Sequence, residues 1–229
     1  MEGHAGVVNE TRAAPRFWLP PDMVDSYRTI AAPARATLKE EGSRFLAEAV
    51  PVTTRAAVEE RRQAVREREH KATHHCSAYR LGPAGDDGHY DDDGEPSGTA
   101  GPPILRQIDG RDLTNVLVVV TRYYGGTKLG TGGLVRAYGD AAAAALDRAS
   151  IVDRVVRTPV RLRFDYDDTT PARQVLRQFD ASVEASDYTD VTEWTVGVRA
   201  SQVDAFVKAF TDALSARGTV LWVGDEDPE

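Results

Sequence analysis

Val116-Leu117-Val118-Val119-Val120-Thr121-Arg122-Tyr123-Tyr124-Gly125-Gly126-Thr127-Lys128-Leu129-Gly130-Thr131-Gly132-Gly133-Leu134-Val135-Arg136-Ala137-Tyr138 is the stretch on which the fold turns. It opens with an apolar, β-branched run of the length and type of a buried strand. Five glycines then fall in the nine residues from Gly125 to Gly133, and the alanine-rich segment Ala141 to Ala149 favours helix. The order is strand, glycine turn, helix. Glycines there permit positive φ and let another group approach the main chain closely. A helix that begins near Thr131 to Leu134 turns its first unpaired N–H groups into that space, with the positive end of its dipole behind them. Arg122, Lys128 and Arg136 bracket the turn and suit charge-assisted bonds to phosphate oxygens. The plainer alternative is a tight strand-to-helix corner with solvated basic neighbours. No Gly-Lys-Ser/Thr follows, so this is not a Walker motif, and the Gly-x-Gly-x-x-Gly spacing of dinucleotide folds is missing.

A chain of 229 residues has room for one large or two small domains. Its net charge of −8 argues against a generally basic nucleic-acid coat. Residues 150–229 hold 9 basic and 15 acidic side chains, so any affinity for nucleic acid must come from a local patch in the first part. The single cysteine, Cys76, excludes an internal disulfide framework and suits a reducing cytosol. No apolar run approaches the roughly 20 residues that span a bilayer. The N-terminus, polar and proline-containing, does not read as a signal peptide.

In chain order, residues 1–21 read as a flexible arm. Ser26 to Ala31 and Arg35 to Glu40 read as extended, Glu40, Glu41 and Gly42 as a turn, and Ser43 to Val50 as a half-buried strand ended by Pro51. Thr53 or Thr54 caps a helix through about Glu69, striped by Ala57, Val58, Ala64 and Val65; its alternating arginines and glutamates read as a solvated face with i,i+4 pairs. His74 to Leu81 reads as a strand, with His75 on one face and His74 and Cys76 on the other. Zinc would need further ligands than these, and Cys76 reads as a core or site-lining residue. Gly82 to Tyr90 reads as a surface loop.

Asp91-Asp92-Asp93-Gly94-Glu95-Pro96-Ser97-Gly98-Thr99-Ala100-Gly101 joins a carboxylate cluster to a second glycine-rich helix start, with the helix over about Thr99 to Ile108 and Pro102 and Pro103 in its first turn. Such carboxylates can hold a hydrated Mg²⁺ beside a phosphate, although the spacing is not that of an EF-hand. The alternative is an acidic loop in which Asp93 or Glu95 caps a helix or pairs with Arg122. After a junction at 150–157, the alternation of Val160, Leu162, Phe164 and Tyr166 starts a new pattern. A helix from Thr169, a hairpin about Thr189 and Asp190 with Trp194, Val196 and Val198 inward, a helix striped by Val203, Phe206, Val207, Phe210 and Leu214, and a strand Thr219 to Val223 complete the order βαββαβ, the ferredoxin-like split βαβ. No catalytic constellation appears there.

Arg122-Tyr123-Tyr124-Gly125-Gly126, Leu129-Gly130-Thr131-Gly132-Gly133-Leu134 and Arg136-Ala137-Tyr138-Gly139 resemble the signature of the YigZ/IMPACT family. Ser43-Arg44-Phe45, His74-His75-Cys76 and the Asp92 to Gly101 stretch fit the same pattern in the same order, so the resemblance covers roughly residues 24–223. It implies two α+β domains. The first, 22–152, should be an IMPACT-type domain like the second domain of a small-subunit ribosomal protein. The second, 157–224, should be ferredoxin-like and similar to the last domain of elongation factor G. Both likenesses point to RNA, a ribosome or a nucleotide as partner, or to a protein partner, and to a cytoplasmic, non-enzymatic binding module in translation or its regulation, with no cofactor, metal or membrane. The oligomeric state stays open. Arg122, Lys128, Gly130, Thr131, Gly132, Gly133 and Arg136, with Gly98, Thr99 and Gly101, are then the expected phosphate-binding residues. His74, His75, Asp93, Glu95, Tyr123, Tyr124 and Tyr138 would line the site, the tyrosines offering a stacking face. Eukaryotic IMPACT relatives inhibit stress-kinase activation through a protein partner and an extra domain for which residues 1–21 leave no room, so that activity is not carried over. The rival reading is a phosphoryl-transfer or hydrolytic enzyme that uses Asp92, Asp93 and Glu95 against the glycine turns, with His74 or His75 as base.

Overall fold

Along the first part of the central stretch, Val116, Val118 and Val120 alternate with Leu117 and Val119, so both faces are apolar and the strand must be covered on both sides. A computed structural model describes residues 24–224 and places it so. The first of two units, Val24–Val156, contains β1 (Ser26–Ile30), β2 (Ala34–Glu40), β3 (Ser43–Pro51), α1 (Arg55–Arg68), β4 (His74–Leu81), β5 (Asp87–Asp91), α2 (Gly101–Asp109), β6 (Val116–Tyr123), α3 (Gly130–Leu146) and β7 (Ile151–Val155). Its main sheet has the order β2-β3-β6-β4-β5 with antiparallel neighbours throughout.

One face of the sheet presents Val50, Val52, Tyr79, Leu81, Leu117 and Val119 to Val58 and Val65 of α1. The other presents Phe45, Ala47, Ala49, Cys76, Ala78 and the remaining valines of β6 to α2 and α3. Each buried Val, Leu or Phe contributes roughly 1.5–3 kcal/mol. The alanines of α3 have a packing reason: Ala137, Ala141, Ala142 and Ala145 are buried, and their small side chains let this helix lie close to its neighbours.

Thr54, rather than Thr53, caps α1 by accepting a 3.1 Å hydrogen bond from the Ala57 amide. The α1 arginines mostly bond across to the sheet side instead of along the helix: Arg62 reaches Asp91, Arg66 reaches Asp93 at 3.0 Å and Arg68 reaches Glu48 at 2.5 Å. Two further expectations are corrected. Residues 82–90 are not all loop, because β5 pairs with β4 from Ser77↔Asp91 to Leu81↔Asp87; cross-strand bonding and the Arg55–Asp87 ion pair hold a sequence poor in strand formers. The junction at 150–157 holds β7, which pairs with β1 from Ser26↔Val155 to Ile30↔Ile151 and carries the first unit to Val156 instead of 152.

The second unit, described over 157–224, contains β8 (Arg157–Phe164), α4 (Thr169–Gln178), β9 (Ser182–Tyr188), β10 (Thr192–Arg199), α5 (Val203–Ala213) and β11 (Thr219–Val223). Its sheet order, β11-β8-β10-β9, is that of the ferredoxin-like fold. Trp194, Val196 and Val198 point inward as expected and pack with Phe164, Phe206 and Phe210. The expected arm at 1–21 and the end of the acidic tail lie outside the described residues. Among the described residues no helix is long and apolar enough to cross a membrane.

Candidate functional site

Arg122 shares the β6 face of Val118 and Val120, so its guanidinium turns toward the α2–α3 layer. Register sets it between Phe45 of β3 and His74 of β4. It is only 6% exposed, and its Nη1 donates to Glu95 Oε1 at 2.7 Å. The Tyr138 hydroxyl of α3 donates to the same oxygen at 2.8 Å, and His74 Nε2 lies 3.9 Å from it. Ser43 Oγ, 3.5 Å from Arg122 Nη2, accepts the Gly125 amide at 3.2 Å. The acidic loop and the basic strand end therefore meet, as the sequence suggests, through Glu95. This network ties β3, β6, the glycine turn and α3 together. The Ser43-Arg44-Phe45 motif carries no sign in sequence of this role for Ser43, which only the fold creates.

Arg122 is corrected as a phosphate ligand, because its charge is neutralised inside the protein by Glu95. Tyr138 is corrected as a stacking face, because it is fully buried and burial pushes its phenol up, leaving a neutral O–H donor. Cys76 is core: burial pushes its thiol up, and Sγ donates to the Asp92 carbonyl. Of the tyrosines proposed for stacking, Tyr123 donates to Glu69 Oε2 at 2.9 Å under the Arg44 guanidinium, whereas Tyr124 is 48% exposed.

The three carboxylates of the acidic loop diverge. Asp92 Oδ1 accepts the amides of Ala100 and Gly101 at 3.0 and 2.8 Å, and its Oδ2 accepts that of Gly98 at 2.7 Å. The start of α2 thus holds the chain's own anion, which corrects Gly98, Thr99 and Gly101 as phosphate ligands. Thr99 is buried, with its hydroxyl donating to the Pro96 carbonyl. Gly101 serves packing, since a Cβ there would lie 2.7 Å from the Tyr90 ring. Asp93 accepts from Arg66 and from the His75 amide, and its carbonyl accepts from His74 Nδ1 at 2.8 Å. Among the described residues no group of three His, Cys, Asp or Glu side chains is placed to hold a metal ion.

His75 faces α1, away from Glu95, with Nδ1 3.2 Å from Thr121 Oγ1. Burial lowers its pKa below the ordinary 6.5, against a smaller opposing pull from Asp93, with Arg66, Glu69 and His74 also acting on it. The unfolded chain then binds the proton more readily, so the contribution of His75 to stability is present above pH 6.5 and is lost as pH falls through the lowered value. Thermal melts between neutral and mildly acidic pH should show this fall, and His75→Gln should flatten it. An unchanged profile in the variant would assign the effect to other groups.

The start of α3 is different. The residue before it, Leu129, offers no side-chain cap, and no acidic residue occupies the first turn. Lys128, Thr131 and Arg136 are exposed, and neither basic side chain has a partner among the described residues. Gly130 supplies the left-handed turn at φ +69°. Gly132 and Gly133 are helical, correcting the expectation of positive φ there; a Cβ on Gly132 would meet nothing within 4 Å.

Comparison with known proteins agrees with this division. The Impact N-terminal domain model matches residues 41–146, and a domain of unknown function, DUF1949, matches residues 162–217. The IMPACT family member YigZ of Escherichia coli is 34% identical, over 89% of this chain and 100% of its own. The IMPACT family member YvyE of Bacillus subtilis is 32% identical, over 86% of this chain and 91% of its own. A crystal structure of a hypothetical protein superimposes with a TM-score of 0.67 at 32% identity, covering 89% of this chain and 100% of that one. With relatives matched over nearly their whole lengths in both domains, this chain belongs to the YigZ/IMPACT family.

Proposed function

We propose that the chain is a cytoplasmic, non-enzymatic binding module that holds a phosphate-bearing partner, RNA alone or within the ribosome, at the turn between β6 and α3, and so acts in translation or its regulation. The observation that carries this reading is the contrast between the two glycine-rich helix starts. Asp92 fills the start of α2 with a carboxylate, while the start of α3 is open, with the unpaired Lys128 just before it and the unpaired Arg136 further along the helix. Free helix N–H groups and the dipole favour an anion there, Lys128 adds a charge-assisted bond beside it, and Arg136 would take a phosphate further along a bound strand. What weighs against the enzymatic alternative is that Asp92, Asp93 and Glu95 each accept from donors of the chain itself.

With Arg122 internally paired, two basic contacts remain, and log affinity for a single-stranded RNA oligomer should fall with log salt at a slope of about −1.4. Lys128→Ala should halve that slope. Gly132→Ala should leave the fold as stable or add roughly 0.5–1 kcal/mol, because alanine suits a helix interior; the same methyl should weaken RNA binding by filling the approach space. Fluorescence anisotropy across a salt series measures both. A slope near zero, or undiminished binding by Gly132→Ala, would refute the α3 site.

A further inference from the structure

Strand β6 ends at Tyr123, and the next residue is held over the buried arginine. Tyr124 lies two positions beyond Arg122, on the same side of the chain. The Arg122 guanidinium carbon is 5.5 Å from the centre of the Tyr124 ring, within cation–π reach. The main chain there is tied down, since the Tyr124 amide donates to Thr73 Oγ1 at 3.4 Å and the Gly125 amide to Ser43 Oγ at 3.2 Å. Arg122 is itself held by Glu95 at 2.7 Å, so the cation under the ring is fixed. One face of the ring is turned to this buried group, and the 48% of Tyr124 that is exposed belongs to the other face and the edge. The result is a preset, open aromatic surface at the entry to the glycine turn.

Charge separates Tyr124 from Tyr90, the other half-exposed tyrosine of the first unit. Tyr90 is 47% exposed, but it stands on β5 in the run Asp86-Asp87-Gly88-His89-Tyr90-Asp91-Asp92-Asp93, and its ring lies against Gly101. A polyanion is repelled there. After Tyr124 come Gly125, Gly126, Thr127 and Lys128, with no carboxylate before the start of α3. A Cβ added at Gly126, Gly130 or Gly132 would meet nothing within 4 Å, so the chain leaves the space along this turn open. Five residues separate Tyr124 from Gly130, which limits the span between them to roughly 22 Å, within reach of a short oligonucleotide.

We propose that Tyr124 is a stacking platform for an unpaired base, so that the partner at the β6–α3 turn is single-stranded RNA, with a phosphate at the start of α3 and a base on the outer face of Tyr124. This role depends on the phosphate contact proposed at α3 and narrows the form of nucleic acid that contact admits. Every base offers a π-face, so the platform tolerates sequence but requires a base free of its own stack. Bases inside a duplex are covered by their neighbours and cannot reach the ring. Because Arg122 and the adjoining backbone already hold Tyr124 in place, little ordering cost is left for binding.

The test titrates the full chain by fluorescence anisotropy with three labelled probes: oligoadenylate, an abasic ribose-phosphate strand of the same length, and the oligoadenylate annealed to its oligouridylate complement. Oligoadenylate should bind about tenfold more tightly than the abasic strand, within the range for one stacked base, and annealing should remove that advantage. Tyr124→Leu should erase the difference between the two single strands, whereas Tyr124→Trp should keep or increase it. The salt slope should stay the same in both variants, because a stacked base releases no counterion. Lys128→Ala, by contrast, should weaken the two single strands alike. The comparison of the two strands on the parent chain stands even if a variant fails to fold. Equal binding of both strands with the salt slope intact would overturn the platform and leave the α3 phosphate site standing. An advantage that survives annealing or Tyr124→Leu would overturn it as well. No binding of either strand at low salt would remove the α3 site and the platform together.

Discussion

Arg122→Leu should destabilise the first unit by about 3–5 kcal/mol, the effect of removing one partner from a buried ion pair. Glu95 would then keep a buried charge with the Tyr138 hydroxyl as its remaining short bond. Urea unfolding of the single variants and of the double variant Arg122→Leu/Glu95→Leu separates the terms. The double variant should recover much of the loss, because two apolar residues leave no unpaired charge behind, and the cycle then reports a large coupling. A single-variant cost below about 1 kcal/mol would place this pair with surface salt bridges, and the view that it locks the glycine turn would fail.

The second large effect concerns Asp92. Asp92→Ala should cost about 2–5 kcal/mol, because several amides at the start of α2 lose their acceptor and each unsatisfied donor costs about 1–3 kcal/mol. Asp92→Asn should lose less, since an amide oxygen still accepts. Hydrogen exchange at Gly98, Ala100 and Gly101 should accelerate in the alanine variant. Added sulfate should restore part of its melting temperature and leave the parent chain unaffected. Rescue by an anion would show that a glycine-rich helix start in this fold binds free oxyanions, the property proposed for α3. Failure of rescue, together with a small stability loss, would mean that Asp92 is replaceable by water.

Strong local patterns made much of the fold legible. The two-faced apolar run of β6, the Thr54 cap and the inward alternation of Trp194, Val196 and Val198 carry their structure in their own periodicity. Residues 82–90 and 150–157 read as loop and junction because the order of β5 and β7 comes from partners: β5 from β4 and the α1 arginines, β7 from β1. The site divides the same way. Glycines, cations and carboxylates could be picked out by type, and pairing of Arg122 with the acidic loop was among the alternatives. That Glu95 takes Arg122 while Asp92 turns back onto α2 depends on how the sheet closes, which residue spacing does not encode. Ser43 shows the same limit, since its role arises only where a turn from distant sequence lies against it.

The position of β6 between β3 and β4 also has a consequence for synthesis on the ribosome. Strands β3 and β4 follow one another in the chain but do not pair with each other; each pairs with β6. A nascent chain that has released only β1 to β5 holds two hairpins, β2–β3 and β4–β5, and no continuous sheet. Both expose open edges where β6 belongs, and unpaired edges are prone to wrong association. The sheet closes only once Tyr123 has left the ribosome, and the β1–β7 ribbon only once Val155 has followed. Pairings this distant in sequence are slow to form. The first unit therefore spends most of its own translation unable to finish folding, and its vulnerable interval ends when the central strand inserts.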